Sequence, residues 1–182
     1  MKRLLSILFL ISFAASETDY RNMWRWVNTT GDNVPYNAVV GGKDSGEDTY
    51  ICRAEHGGDV LPGKIVRSQN VCYVSHTGSE HAHHAYQVLV PLGESQFDWV
   101  PESDGRLPPG AVQGGVTKSG EPLYIGRTSH KGTLTNGKIH CSLSRLYIPY
   151  GSLEFAYSSY EVLVNCTDGD SGAERARCMP RC

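Results

Sequence analysis

Apolar and polar positions alternate with a period of two along several short segments of this chain. TYICRA (49–54) alternates Tyr50, Cys52 and Ala54 with Ile51 and Arg53, and YQVLV (86–90) and YEVLV (160–164) place Tyr and Val on every second position. This alternation is typical of half-buried strands. Clusters of Gly, Pro, Asn and Asp separate the segments and indicate turns. No helical periodicity follows the N-terminal apolar run, so the pattern predicts an all-β fold.

The same pattern occurs twice. A segment starting at Trp26 aligns with one starting at Trp99 at an offset of 73 residues, and a one-residue insertion then makes the offset 74. The matching positions include a Gly-Gly pair and a predicted Gly-Lys-Ile turn, in LPGKI (61–65) and again in TNGKI (135–139). Two copies of about 70 residues are each small for an independent core. We therefore expect them to share one core across a pseudo-twofold axis.

The N-terminus has the features of a secretory signal peptide. A basic start precedes the apolar run LLSILFLISFAA, and small residues lead to Ser16, where we expect cleavage. This run is shorter than a membrane span requires, so no membrane insertion is expected. The predicted organisation is a signal peptide (1–16), an N-terminal segment (17–25), a first repeat (26–97), a second repeat (98–166) and a cysteine-containing tail (167–182).

Secretion changes the interpretation of the cysteines. An even number in an oxidising compartment predicts disulfides, and the six are Cys52, Cys72, Cys141, Cys166, Cys178 and Cys182. Three bridges allow about 15 connectivities, so the sequence leaves the pairing open. Cys52 and Cys72 lie on predicted strands of the first repeat and could pair. The second repeat has Gly126 and Leu146 there, so that bridge is not repeated.

Charge and the remaining motifs exclude several functions. Without the signal peptide, the chain has 15 basic and 19 acidic residues. It has no basic stripe of the kind that would predict nucleic-acid binding. The Gly-Lys pairs lack the following Ser or Thr and the helix of a phosphate-binding loop. GDSG (169–172) resembles a protease nucleophile loop, but it stands in the tail without a partner histidine segment. We expect no enzymatic activity and no cofactor.

The matched positions resemble the DM-nine repeat, a module also found in the lectin part of natterin-like toxins. The resemblance rests on W-V, Gly-Gly, Y-I-x-R, Gly-Lys and Y-x-V-L-V in fixed order, from Trp26 to Val164 in two copies. It implies an all-β fold in which two pseudo-symmetric repeats intertwine into a single β-sandwich-like domain. It also implies a lectin for mannose-type sugars that needs no metal.

The resemblance implies sugar contacts at two residues, Asp44 and Lys64. Their chemistry suits a diol, because a carboxylate accepts hydrogen bonds and an ammonium donates them. The two groups should then lie roughly 3–6 Å apart. The second repeat keeps Lys138 but has Thr117 in place of the Asp, which predicts one site per chain. Lys138 and Glu80 are secondary candidates, although Glu80 has a counterpart in Glu154 and is expected to anchor a turn.

Three other hypotheses remain open at this point. His81 and His83 share a strand face near Glu80 and could hold zinc, but the second repeat has Phe155 and Tyr157 in that region, so we expect no metal site. The protein could instead be a secreted structural or protein-interaction module with a vestigial sugar site, or a toxin subunit that needs a partner chain. A homodimer would raise avidity for glycan surfaces in the lectin hypothesis.

Overall fold

The computed structural model of the 182-residue chain describes residues 24–30, 33–93 and 95–166. The predicted signal peptide, the tail and GDSG lie outside the described residues. The repeat boundaries stay predictions. The described part of the chain is built from β-strands and one short 3-10 helix, and no helix in it has the length and hydropathy to cross a membrane.

Fourteen strands divide evenly between the two copies in the described residues, and all of their pairings are antiparallel. The first copy forms β1 (Trp24–Thr30), β2 (Val40–Asp44), β3 (Glu47–His56), β4 (Asp59–Val66), β5 (Val71–His76), β6 (Ser79–His83) and β7 (Ala85–Pro91). The second copy forms β8 (Gln96–Ser103), β9 (Gln113–Val116), β10 (Pro122–His130), β11 (Thr133–His140), β12 (Arg145–Tyr150), β13 (Leu153–Tyr157) and β14 (Ser159–Cys166). The predicted all-β class is confirmed.

The strands close into an eight-stranded antiparallel barrel with extra strands around it. The ring runs β3-β2-β11-β12-β13-β6-β5-β4, and β4 pairs again with β3. The expected β-sandwich-like arrangement is therefore wrong. Because each strand of the ring is hydrogen-bonded on both sides, the barrel strands have no free edges and do not form two separate facing sheets.

The two copies exchange strands, as the intertwined fold requires. β2 of the first copy pairs with β11 at Lys43 and Leu134, and the equivalent β9 pairs with β4 at Val116 and Val60. The β6–β13 junction lies at the centre of this symmetry. One buried cluster joins the copies at equivalent positions, with Ile51, Leu89, Val112, Ile125 and Leu163 as its members. The expected shared core is thus confirmed.

The Gly-Lys-Ile segments are strand interiors, not turns. LPGKI lies within β4 and TNGKI within β11. A Cβ on Gly63 would lie 2.0 Å from the backbone oxygen of Tyr73, and one on Gly137 would lie 2.1 Å from that of Tyr147. Glycine recurs because a neighbouring strand passes too close for any side chain.

Cys52 and Cys72, one of the pairs that the sequence left open, form a disulfide with a Cα–Cα distance of 6.1 Å. Its counterpart in the second copy is a packing contact. A Cβ on Gly126 would lie 3.0 Å from Leu146 Cδ1, so the leucine side chain occupies the space above the glycine. Cys141 is also disulfide-bonded. The two copies therefore stabilise the same position by different means.

Candidate carbohydrate site and its counterpart

The structure brings Asp44 and Lys64 together. Asp44 ends β2, just before a tight turn at Ser45 and Gly46, and Lys64 lies within β4. Both strands pair with β3, which lies between them. Lys64 Nζ and Asp44 Oδ2 are 3.8 Å apart, inside the range that the lectin hypothesis requires.

The two charges differ in exposure. The Lys64 side chain is 4% exposed and that of Asp44 is 20% exposed, so the carboxylate forms the open side of the pair. A distance of 3.8 Å is longer than a direct hydrogen bond. Within residues 24–30, 33–93 and 95–166, no hydrogen bond from the Lys64 ammonium accompanies this ion pair. The ammonium therefore keeps donors beyond the one directed at Asp44.

The surroundings of Lys64 oppose and support its charge at once. Burial lowers the pKa of Lys64, whereas the nearby carboxylates of Glu80 and Asp44 raise it, and burial dominates. The ammonium also lies 4.9 Å from the centre of the Tyr150 ring, a favourable cation–π distance. An additional oxygen beside this ammonium would compensate part of its desolvation.

An aromatic group from the second copy lines this region. His130 packs against Tyr150 and Phe155 with ring centres 4.6 and 4.4 Å apart, and its Nδ1 is hydrogen-bonded to the Tyr157 hydroxyl. Burial lowers the pKa of His130, and the charges of Lys131 and Lys64 lower it further. Comparison of the two repeats did not identify this group, because most of its members differ from the residues at the matching positions of the first repeat.

Glu80 and Glu154 anchor turns, as expected. The Glu80 carboxylate accepts a hydrogen bond from the Ser152 backbone N–H at 2.7 Å, and Glu154 accepts one from the Gly78 N–H at 2.7 Å. Each glutamate thus holds the β6–β13 junction from its own copy. Glu80 in addition acts electrostatically on Lys64.

The equivalent lysine of the second copy is fully engaged. Lys138 Nζ donates to Glu154 Oε1 at 2.7 Å, to Ser75 Oγ at 3.3 Å and to the Ser75 backbone oxygen. The side chains of Lys138 and Glu154 are 7% and 10% exposed. Burial lowers the pKa of Lys138, and Glu154 opposes this shift. No donor of Lys138 is left for a ligand.

Thr117, which replaces the Asp in the second copy, serves its own hairpin. Its hydroxyl lies 2.9 Å from Ser119 Oγ and accepts from the Glu121 N–H at 3.0 Å. A carboxylate nevertheless reaches this side from the neighbouring strand, because Asp59 acts on the charge of Lys138. Asp59 is the counterpart of Thr133. The first copy thus holds both acids and the second copy both threonines, and each lysine is affected by a different acid of the first copy, which an alignment restricted to position 117 does not reveal.

Comparison with known proteins identifies the module that carries both sites. The DM9 repeat matches residues 43–157, which contain Asp44, Lys64 and their counterparts. The chain belongs to the DM9 repeat family. Natterin-4 from Thalassophryne nattereri is 26% identical over 152 residues, covering 82% of this chain and 36% of that protein.

A solved structure shares the fold of this DM9 protein. The nematode sperm cell motility protein MFP2B superposes with a TM-score of 0.61 at 19% identity, covering 81% of this chain and 48% of that one. The chain spans about a third of natterin-4 and about half of the MFP2B chain. At this identity the likeness to MFP2B shows the fold alone.

The counterpart of the aromatic group in the first DM9 copy is a group of four histidines, called the histidine cluster below. Its members, in the order of His130, Tyr150, Phe155 and Tyr157, are His56, His76, His81 and His83. Sequence reasoning found the two on β6 but missed those on β3 and β5. A listing of all four positions at the offset of 74 would have found them.

The surroundings of His56 and His83 favour the neutral form of these two imidazoles. Burial lowers the pKa of His56, and the rings of His81, His83 and His76 lower it further, while Asp59 opposes them. Burial also lowers the pKa of His83, as does His81. The rings of His56 and His81 stack with centres 3.9 Å apart.

Proposed function

We propose that this DM9 protein is a secreted lectin that binds mannose-type glycans without a metal, through Asp44 and Lys64. The observation that carries the proposal is the buried Lys64 ammonium, which faces a more exposed carboxylate across 3.8 Å and has unused donors. The family relationship adds support, since the DM9 match covers both residues.

A sugar diol fits the chemistry of this gap. One hydroxyl can donate to Asp44 and accept from Lys64, and a vicinal hydroxyl can use the remaining lone pairs and protons. Hydrogen bonds to charged groups each contribute about 1.5–3 kcal/mol. Tyr150 offers an apolar ring beside the polar pair, which suits the mixed polar and apolar surface of a sugar. Affinity in the millimolar to micromolar range per site follows for such an open pair.

The second copy supports one site per chain. Lys138 already has three acceptors, so a sugar hydroxyl there must displace Glu154 or Ser75. Avidity then comes from multivalency, and we propose a homodimer as its source. Nucleic acid and the membrane interior are not proposed partners, and no enzymatic activity is proposed.

Secretion fits the covalent structure. The Cys52–Cys72 disulfide and the disulfide-bonded Cys141 are characteristic of an oxidising compartment. The predicted signal peptide has the same implication. Both support an extracellular role in recognition of microbial or host surfaces.

The test is retention on mannose-agarose and calorimetric titration with mannose, both in EDTA. We expect Asp44→Asn and Lys64→Met to weaken binding roughly tenfold to hundredfold, which corresponds to about 1.5–3 kcal/mol. Asp98→Asn and Lys118→Met change exposed residues outside the pair and serve as matched controls. Absent binding, or binding indifferent to both site changes, would overturn the lectin proposal in favour of an interaction module.

A further inference from the structure

We propose that the histidine cluster of the first repeat binds one divalent transition metal ion of the zinc class. His56, His76 and His81 come from β3, β5 and β6, and one ring nitrogen of each lies within 4.8 Å of the others. Neutral imidazole suits zinc, copper and nickel among common ions. This site is distinct from the sugar pair and does not depend on it.

The three ring nitrogens lie within 4.8 Å of one another, a wider spacing than a tetrahedral zinc centre has. Zinc–nitrogen bonds of about 2.0–2.1 Å place ligand nitrogens about 3.3 Å apart. Rotation of the partly exposed rings can close the remaining gap, because the backbones are held in place: β5 pairs with β6, and β4 pairs with both β3 and β5. The ring centres of His56 and His76 are already 5.2 Å apart, and those of His76 and His81 are 6.2 Å apart.

A fourth histidine, His83, supports the proposed metal site. His83 has its ring centre 5.3 Å from that of His56. Its Nε2 is buried and has no hydrogen-bond partner in the described residues. A buried nitrogen without a partner costs free energy that a metal bond recovers. His83 is thus a candidate for the fourth ligand.

Asp59 is placed to orient one of the ligands. Its Oδ2 lies 3.5 Å from His76 Nε2, and its Oδ1 accepts a hydrogen bond from the Lys118 backbone N–H at 2.7 Å. Carboxylates that hold the second nitrogen of a ligating histidine are a regular feature of metal sites. Asp59 would then be a positioning residue, not a ligand.

Comparison with the second repeat indicates that packing alone does not explain the four histidines. At the same four positions it has one histidine and three larger aromatic rings, Tyr150, Phe155 and Tyr157. Those rings pack on His130 and fill the same space without three further imidazoles. The barrel therefore does not require histidines here, and their presence in one copy indicates a chemical role.

The test uses untagged, EDTA-stripped full-length protein titrated with zinc sulfate, followed by cobalt(II) absorption spectra. His81→Phe and His83→Tyr introduce the residues of the second repeat and so preserve packing. We expect one equivalent of zinc in the native protein and a tetrahedral cobalt spectrum. His81→Phe and His83→Tyr should weaken binding by about tenfold or more, and Asp59→Asn by about 10–100-fold. His84→Ala, an exposed neighbour outside the cluster, is the matched control and should bind as the native protein does.

Absence of zinc binding by the native chain, equal binding by His81→Phe, or loss of binding in His84→Ala alone would each overturn the inference. Circular dichroism checks that the variants fold. Mannose retention in EDTA should be unchanged in His81→Phe, so a failure of the metal site and a failure of the sugar site are distinguishable.

Discussion

Two lysines at equivalent positions of this barrel, Lys64 and Lys138, differ in their polar partners. Lys64 is buried with a carboxylate at 3.8 Å and unused donors, whereas Lys138 is buried with Glu154 at 2.7 Å and two further acceptors on Ser75. The backbone positions correspond, so the difference arises from side chains. Ser75 has Pro149 as its counterpart, and a proline offers no hydroxyl. Duplication thus preserved the scaffold, while the two lysines came to differ in the acceptors that reach them.

The largest expected effect tests what the copies share. Gly63→Ala and Gly137→Ala should both prevent folding or cost more than about 4 kcal/mol, because the new Cβ meets a backbone oxygen near 2 Å. Urea unfolding monitored by circular dichroism measures the loss. A tolerated change in one copy would mean that its strands can separate there.

The lysines themselves should differ sharply in stability. Lys138→Met leaves Glu154 buried without its partner and should lower the free energy of unfolding by about 3–5 kcal/mol. Lys64→Met removes a desolvated ammonium from a long pair and should cost less than about 1 kcal/mol. Urea midpoints at constant m-value provide the comparison. Equal losses would contradict the assignment of different roles.

The disulfide offers a third contrast. Cys52→Ala combined with Cys72→Ala opens a loop with a sequence separation of 20 and should cost about 3 kcal/mol. Leu146→Ala in the second copy removes the buried side chain at the counterpart position and should cost about 2–5 kcal/mol. Thermal and urea unfolding of both variants show whether the two solutions are energetically comparable. No loss in the double cysteine variant would assign the bridge a role other than stability.

Acidic pH should weaken the ion pair between Lys138 and Glu154. Burial alone raises the pKa of Glu154, but the hydrogen bond and charge of Lys138, with the Gly78 N–H, bring it below its ordinary value. A lowered folded-state pKa contributes stability above the unfolded value near about 4.3, and this is lost as pH falls through the folded pKa. Native protein should therefore lose stability more steeply than Glu154→Gln between pH 5 and 3, on the order of 1 kcal/mol. Parallel curves would remove the pair from the acid response.

The smallest expected effect is that of restoring the acid at position 117, which is Thr in the second copy. Thr117→Asp restores the carboxylate of the second copy, yet Lys138 stays bound to Glu154 and Ser75. Mannose titration should therefore still give one site per chain, with an unchanged dissociation constant. A second site in this variant would show that Thr117, and not the engagement of Lys138, silences the second copy.

The repeat and the strand alternation could be read from the sequence, because period-two patterning and duplication are local and linear signals. They predicted the all-β class and the shared core, and they left Cys52–Cys72 as one of several possible pairs. The resemblance directed attention to Asp44 and Lys64, whose role in binding remains a proposal. The sandwich and the Gly-Lys turn were wrong, since alternation does not show which strands pair or where a ring closes.

Only the tertiary structure decided how the duplicated positions diverged. The pairing of strands around the barrel brings residues that are far apart in the chain close to each lysine. The hydrogen bonds of a lysine then depend on which acceptors reach its ammonium. The approach of Asp59 to Lys138, and the gathering of four histidines from three strands, follow from strand pairing that the linear pattern does not encode. Sequence by itself determined a duplicated β-protein with one matched lysine per copy. Long-range packing determined that Lys138 is hydrogen-bonded within the barrel, whereas Lys64 has a single carboxylate at 3.8 Å.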